Sequence, residues 1–208
     1  SASPQPDAVR WLTVVDIAPG ESPDVVYALS SSPPSILRVE LPTFEISRAP
    51  ILGMLPAFFA VSLPESAIFV VGDDGAIQRF ALETLEATAF CAFSSDRTVL
   101  DLGLDPASRR LYLLCQGSPS NVLAIIGLDD GRILLDDAPV EGNRIAIDAA
   151  SKRLFSAFVG DWGEGFLARY SIAGDALTLD STNSSPGKYG HALGLSPDGE
   201  MIAYACSL

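Results

Sequence analysis

An aromatic residue set in a short apolar run returns four times along the chain. It is Tyr27 in VVYALS, Phe69 in IFVVGD, Tyr112 in LYLLCQ and Phe155 in LFSAFV, at separations of 42, 43 and 43 residues. No other feature constrains the fold as much. A fixed period of this length means that each unit folds alike and buries its apolar faces against its neighbours. A fifth copy, MIAYAC, follows a longer gap, with Tyr204 displaced by one position.

Each run is preceded by an apolar segment and a turn: TVVDIAPGESPD, FAVSLPESA, VLDLGLDPASRR, RIAIDAASKR and ALGLSPDGE. Pro, Asp, Ser and Gly make the turns, by fixing φ, by bonding back to the backbone or by tolerating positive φ. Third segments follow (ILRVEL, AIQRFAL, NVLAIIGL, FLARYSI), then fourth ones (FEISRAP, LEATAFCAF, GRILLDD, ALTLDS). Their alternating pattern and β-branched or aromatic content predict strands, and no apolar stripe of helical period competes. Four short antiparallel strands per unit, in tandem, predict an all-β β-propeller. The expected single domain has complete blades over about 9–56, 57–95, 96–140 and 141–183, and a partial fifth over 190–208. A fifth blade with two strands leaves open edges, which template pairing with other strands. The expectation is a portion of a larger ring, or self-association through those edges.

The segments DPASRRLYLLCQGSPSNVLAIIGLDDGRIL and HALGLSPDGEMIAYA resemble YVTN-type propeller repeats, most clearly over residues 99–204. That family is in turn similar to WD40-like and lactonase propellers. The Gly-His…Trp-Asp signature of true WD40 repeats is absent from the sequence. The resemblance speaks for fold more than for function. It also accounts in part for His191, which opens a blade in GHALGLSPDG.

Hydrophobic residues make up 48% of the 208 residues and charged ones 19%, with mean hydropathy +0.30. A chain of that make-up folds. Its apolar runs fall far short of the roughly 18 residues of a transmembrane helix, so no membrane insertion is expected. The formal charge of −13 and pI near 4.3 repel nucleic-acid backbones and anionic membranes. The three cysteines, Cys91, Cys115 and Cys206, each sit in an apolar run and are expected to be buried thiols. The lead SASPQPDAVR lacks the order of a signal peptide and fits either a remnant left after cleavage or a cloning scar; a periplasmic or extracellular setting is favoured over a cytoplasmic one.

In an up-and-down blade, the loop between strands two and three shares an end with the loop leaving strand four. Functional residues gather on such loops. The richest pair is GDWGEG, with Asp161, Trp162 and Glu164, and SSPGKYGH, with Lys188, Tyr189 and His191. Aromatic rings beside carboxylates, a Lys and the chain's one His suit a pocket for a small molecule or a peptide. Glycine turns and a packing role for Trp162 are the plainer reading. Asp73-Asp74-Gly75 and Asp129-Asp130-Gly131 read as hairpin turns before calcium loops. Arg109-Arg110 reads as solvated charge. No catalytic residue, metal or cofactor is assigned, because the sequence has no serine elbow and no metal-ligand spacing. The function expected is a non-catalytic propeller that binds a protein or small-molecule ligand on its loop face. The alternative is a lactonase-like hydrolase acting there on a small molecule.

Overall fold

A computed structural model describes residues 12–93, 97–158, 166–184, 189–196 and 202–207. They contain strands and no helix, and so none that could cross a membrane. The first sheet is β1 (Thr13–Pro19), β2 (Val25–Ser32), β3 (Pro34–Glu40) and β4 (Glu45–Pro50). The second is β5 (Pro56–Ser62), β6 (Ala67–Gly72), β7 (Ala76–Ala81) and β8 (Ala87–Ala92). The third is β9 (Val99–Asp105), β10 (Arg110–Cys115), β11 (Asn121–Gly127) and β12 (Ile133–Val140). The fourth is β13 (Arg144–Asp148), β14 (Arg153–Ala157), β15 (Phe166–Ala173) and β16 (Ala176–Ser184). Strands β17 (Tyr189–Leu195) and β18 (Ile202–Ser207) form a two-stranded fifth. Every sheet runs antiparallel in sequence order, and the first strands pack in succession, β1 on β5, β5 on β9, β9 on β13, β13 on β17. These are propeller blades around an inner circuit of first strands.

The recurring aromatic is explained by its partner across the ladder. Tyr27 pairs with Ala18, Phe69 with Ala60, Tyr112 with Gly103 and Phe155 with Ala146. A small residue on the inner strand makes room for a ring on the second. At the fifth copy Gly194 pairs with Ala203, so Tyr204 has moved one register position, to Leu193.

Alternation on the second strands builds one core per interface. Tyr27 and Leu29 meet Ile68, Val70 and Phe80 between the first and second sheets. Phe69 and Val71 meet Leu111, Leu113 and Cys115 between the second and third. Tyr112 and Leu114 meet Leu154, Ala168 and Tyr170 between the third and fourth. Both faces of β6 and of β10 from Leu111 on are buried, which is why those runs are apolar without a break. Fully burying each such side chain stabilises by about 1.5–3 kcal/mol. The first sheet differs. On its face away from the second sheet, Ile17 and Ile46 are 67% and 59% exposed.

The first turns are built alike in two blades. Asp105 accepts the amides of Ala107 and Ser108 and the Ser108 hydroxyl. Asp148 does the same with Ala150 and Ser151. The Ser151 hydroxyl holds the Asp148 carboxyl below its usual range. Each turn ends on a left-handed residue, Arg109 (φ 57°) or Lys152 (φ 54°). The acidic pairs are likewise turn chemistry: Asp74 accepts the Ala76 amide and Asp130 that of Arg132.

The arginine pair departs from the sequence expectation of solvated charge. Arg109 binds Glu65 of the second sheet at 3.0 Å and Asp129 of its own. Arg110 binds Asp175 of the fourth sheet at 2.7 Å and the Gly174 carbonyl. Consecutive arginines therefore tie the third blade to both neighbours. Their partners lie 44 and 65 residues away, so no local pattern signals them.

Cys115 is fully buried and burial pushes its thiol up to about 11. Cys91, on the outermost strand of its sheet, is only half-buried, against expectation; the side chain of Cys206 lies outside the described residues. A maleimide at neutral pH is expected to label Cys91 in the native protein and Cys115 only after unfolding. Mass spectrometry of the labelled peptides checks this, and prompt labelling of Cys115 would contradict the burial.

Candidate functional site

Of the six residues proposed from sequence, Asp161, Trp162, Glu164 and Lys188 lie outside the described residues. Tyr189 and His191 fall on β17, an inner strand, paired with β18, and their side chains are likewise not described. The strands flanking the two stretches are described, β14 and β15 around the first and β16 and β17 around the second.

The described part of the loop face is a set of loops pinned by side chains. Asn121 sits at the start of β11. Its Oδ1 accepts the Gly117 amide at 3.2 Å and its Nδ2 donates to the Gly142 carbonyl at 2.6 Å, joining two loops of the third blade's rim. Gln78 donates to the Leu52 carbonyl at 2.7 Å. Arg144 donates to the carbonyls of Leu100 and Asn143, both at 2.8 Å. The Tyr170 hydroxyl accepts the Glu141 amide at 2.9 Å, and the Ser156 hydroxyl donates to the Glu141 carbonyl. A cavity of about 490 Å³ opens among Arg97, Gln116, Gly117, Ser118, Val122 and Asp137. Its cation is already engaged, since Arg97 binds Asp137 at 3.0 Å and Asp136 at 3.8 Å. The connection from β4 to β5, bonded by Gln78, leaves Leu52 and Leu55 72% and 54% exposed.

Carboxylates also face the inner circuit. Asp101 on β9 accepts the Ile145 amide of β13 at 2.7 Å, and burial raises its carboxyl above the usual range. Asp16 on β1 is raised for the same reason and, as a like charge, adds to the shift at Asp101. Asp101 is a cross-blade latch: it supplies an acceptor to an amide of the neighbouring inner strand. Among the described residues, no three His, Cys, Asp or Glu side chains converge to hold a metal.

Sequence reasoning identified the loops but missed the roles of Asn121, Arg97 and the Leu52–Leu55 pair. An Asn closing a Gly-Ser-Pro-Ser stretch was a usable signal, because Asn caps its own loop backbone. Exposure of two leucines was not, since leucine in sequence reads as core.

No protein-family model matches the sequence, and no curated protein matches it. Solved structures do. Hydrazine synthase of Kuenenia stuttgartiensis superposes with a TM-score of 0.74 at 12% identity, over 98% of this chain and 58% of that one. A chain of the nidogen/laminin complex superposes with a TM-score of 0.63 at 20% identity, over 88% of this chain and 68% of that one. This chain thus spans little more than half the length of the hydrazine synthase chain. Both contain β-propellers. The narrower YVTN or lactonase resemblance finds no counterpart among these matches. With identities this low the likeness is one of fold, and together with the stacked four-stranded sheets it makes this chain a β-propeller.

Proposed function

We propose that this chain is a non-catalytic propeller that holds a protein partner on its loop face. One observation carries the reading: rigidly pinned loops present Leu52 and Leu55 to solvent. Gln78, which bonds the Leu52 carbonyl, holds backbone there, as Asn121 and Arg144 do on the third and fourth blades. A pre-ordered surface with apolar anchors loses little entropy on association. The nidogen/laminin neighbour, a propeller found in a protein complex, supports the same reading. The GDWGEG and SSPGKYGH loops are proposed to complete the surface, with Trp162 and Tyr189 as aromatic anchors and Asp161, Glu164, Lys188 and His191 at the polar rim.

The test is capture by the immobilised chain, with the retained protein identified by mass spectrometry and its affinity then measured. Trp162→Ala and the double variant Leu52→Ser/Leu55→Ser are each expected to weaken that affinity about tenfold or more, with circular dichroism unchanged. Equal affinity for all three proteins would remove the loop face from the interaction. Turnover of simple lactones or esters that is lost in His191→Ala would replace the reading with a lactonase-like hydrolase.

A further inference from the structure

The first and second sheets share one geometry at the turn between their third and fourth strands. The Leu41 amide binds the Asp24 carbonyl as the Leu82 amide binds that of Ser66. The Phe44 amide binds the Glu40 carbonyl as the Leu85 amide binds that of Ala81, and both residues are left-handed at φ 55°. Ile17 and Phe59 correspond as well: each pairs with the residue that follows the second-strand aromatic, Ala28 or Val70. The environments of these matched positions differ. In the second sheet, Phe59, Leu82 and Leu85 are 7%, 5% and 6% exposed, packed in one core with Tyr27 and Leu29 of the first sheet. In the first sheet, Ile17, Leu41 and Phe44 are 67%, 40% and 75% exposed. The first sheet packs onto the second through its opposite face. Side chains that bury themselves against a preceding sheet in the second blade thus stand in solvent on the first.

We propose that this face of the first sheet docks the same face of a second copy of the chain, sheet on sheet across a twofold axis. Chemistry of the matched positions selects a sheet as the occupant, and an isologous contact supplies one on both sides. Charge selects the second copy. The chain carries 26 acidic residues and a net charge of −13, so two copies repel over most of their surfaces. On this face the ladder register sets Ile17, Val26, Val39 and Ile46, and Arg48 alone among its strand residues is charged. Glu40 and Glu45 pair with each other in the row of Val25, which belongs to the opposite face. The strands therefore put no carboxylate between two copies that meet here. Ala28 and Leu37 on the same face are already buried, so the surface to be covered is Ile17 and Ile46 with Leu41 and Phe44 at the turn. Left-handed backbone is costly for a bulky residue. Burial offsets that cost at Leu85, and the second copy would offset it at Phe44. The contact uses none of the loop-face residues.

Analytical ultracentrifugation of the chain at about 1–100 μM tests the proposal, with a monomer–dimer equilibrium as the expected result. Phe44→Asn is expected to weaken the dimer about tenfold or more, as loss of an aromatic anchor does. Asn suits left-handed backbone, so this variant should keep the parent's circular dichroism. Ile17→Lys is expected to weaken the dimer about as much, and it decides alone should Phe44→Asn fail to fold. The loop-face variant Leu52→Ser/Leu55→Ser should dimerise as tightly as the parent, which separates this contact from the partner site. A chain still monomeric at about 100 μM overturns the proposal and leaves the face to a blade of another polypeptide. A dimer that the folded Phe44→Asn and Ile17→Lys variants leave undiminished overturns it too, as does one loosened only by the loop-face variant.

Discussion

Phe69→Ala is expected to cost about 3–5 kcal/mol, the range for deleting a buried aromatic ring. Phe69 is fully buried between the second and third sheets, in one cluster with Leu111, Leu113 and Cys115. Its ring meets that of Phe90 edge-on, with centroids 5.1 Å apart at 62°, a geometry worth about 0.5–1.5 kcal/mol beyond burial. The space it leaves cannot close easily, because Ala60 across the ladder has only a methyl group, with nothing to extend into it. Such a loss is a large share of the 5–15 kcal/mol that separates a typical folded domain from its unfolded chain. Phe69→Leu, which keeps most of the volume, should lose less than about 1.5 kcal/mol. Urea unfolding followed by circular dichroism measures both. A cost below 1 kcal/mol for the alanine variant would mean that this blade interface is not packed around the ring.

The same residue shows why so much of the fold was legible. A ring that must fill the gap between blades has few substitutes, so Tyr27, Phe69, Tyr112 and Phe155 recur at the spacing of the blades themselves. Turns were legible for a similar local reason: Asp105 with Ser108, and Asp148 with Ser151, lie three residues apart and close on themselves. What could not be read is whatever depends on a neighbouring blade. Arg109 and Arg110 resemble free charge until Glu65 and Asp175 are brought to them. Tyr27 and Tyr112 are indistinguishable in sequence register, yet only the Tyr27 hydroxyl bonds a carbonyl of the next sheet among the described residues. That difference is decided by what stands across the interface. Cys91 likewise sits in an apolar run but on an outermost strand, where the run no longer guarantees burial. The candidate loop residues combine the two problems. Their sequence gives the expected loops between strands, while Asp161, Trp162, Glu164 and Lys188 themselves fall outside the described residues.

Gly142→Ala is expected to destabilise by on the order of 3 kcal/mol, from two terms that a control separates. The first is conformational: Gly142 has φ of 102°, which side chains rarely tolerate. The second is contact. A Cβ there would stand 2.7 Å from the Ala157 carbonyl oxygen and 2.9 Å from its carbon, both backbone atoms that cannot rotate aside. The carbonyl of Gly142 also receives the Asn121 side chain, so a shifted backbone would loosen the rim of the loop face. Gly174→Ala is the control. Its φ of 59° is also positive, but nothing lies within 4 Å of its Cβ position. It should therefore lose only the left-handed term, about 1–2 kcal/mol. Equal losses at the two sites in urea unfolding would show that the Ala157 backbone gives way and that this loop is less fixed than its hydrogen bonds imply. A larger loss at Gly142, with faster amide exchange at Gly117 and Asn143, would tie the tight approach to the rigidity of this loop rim.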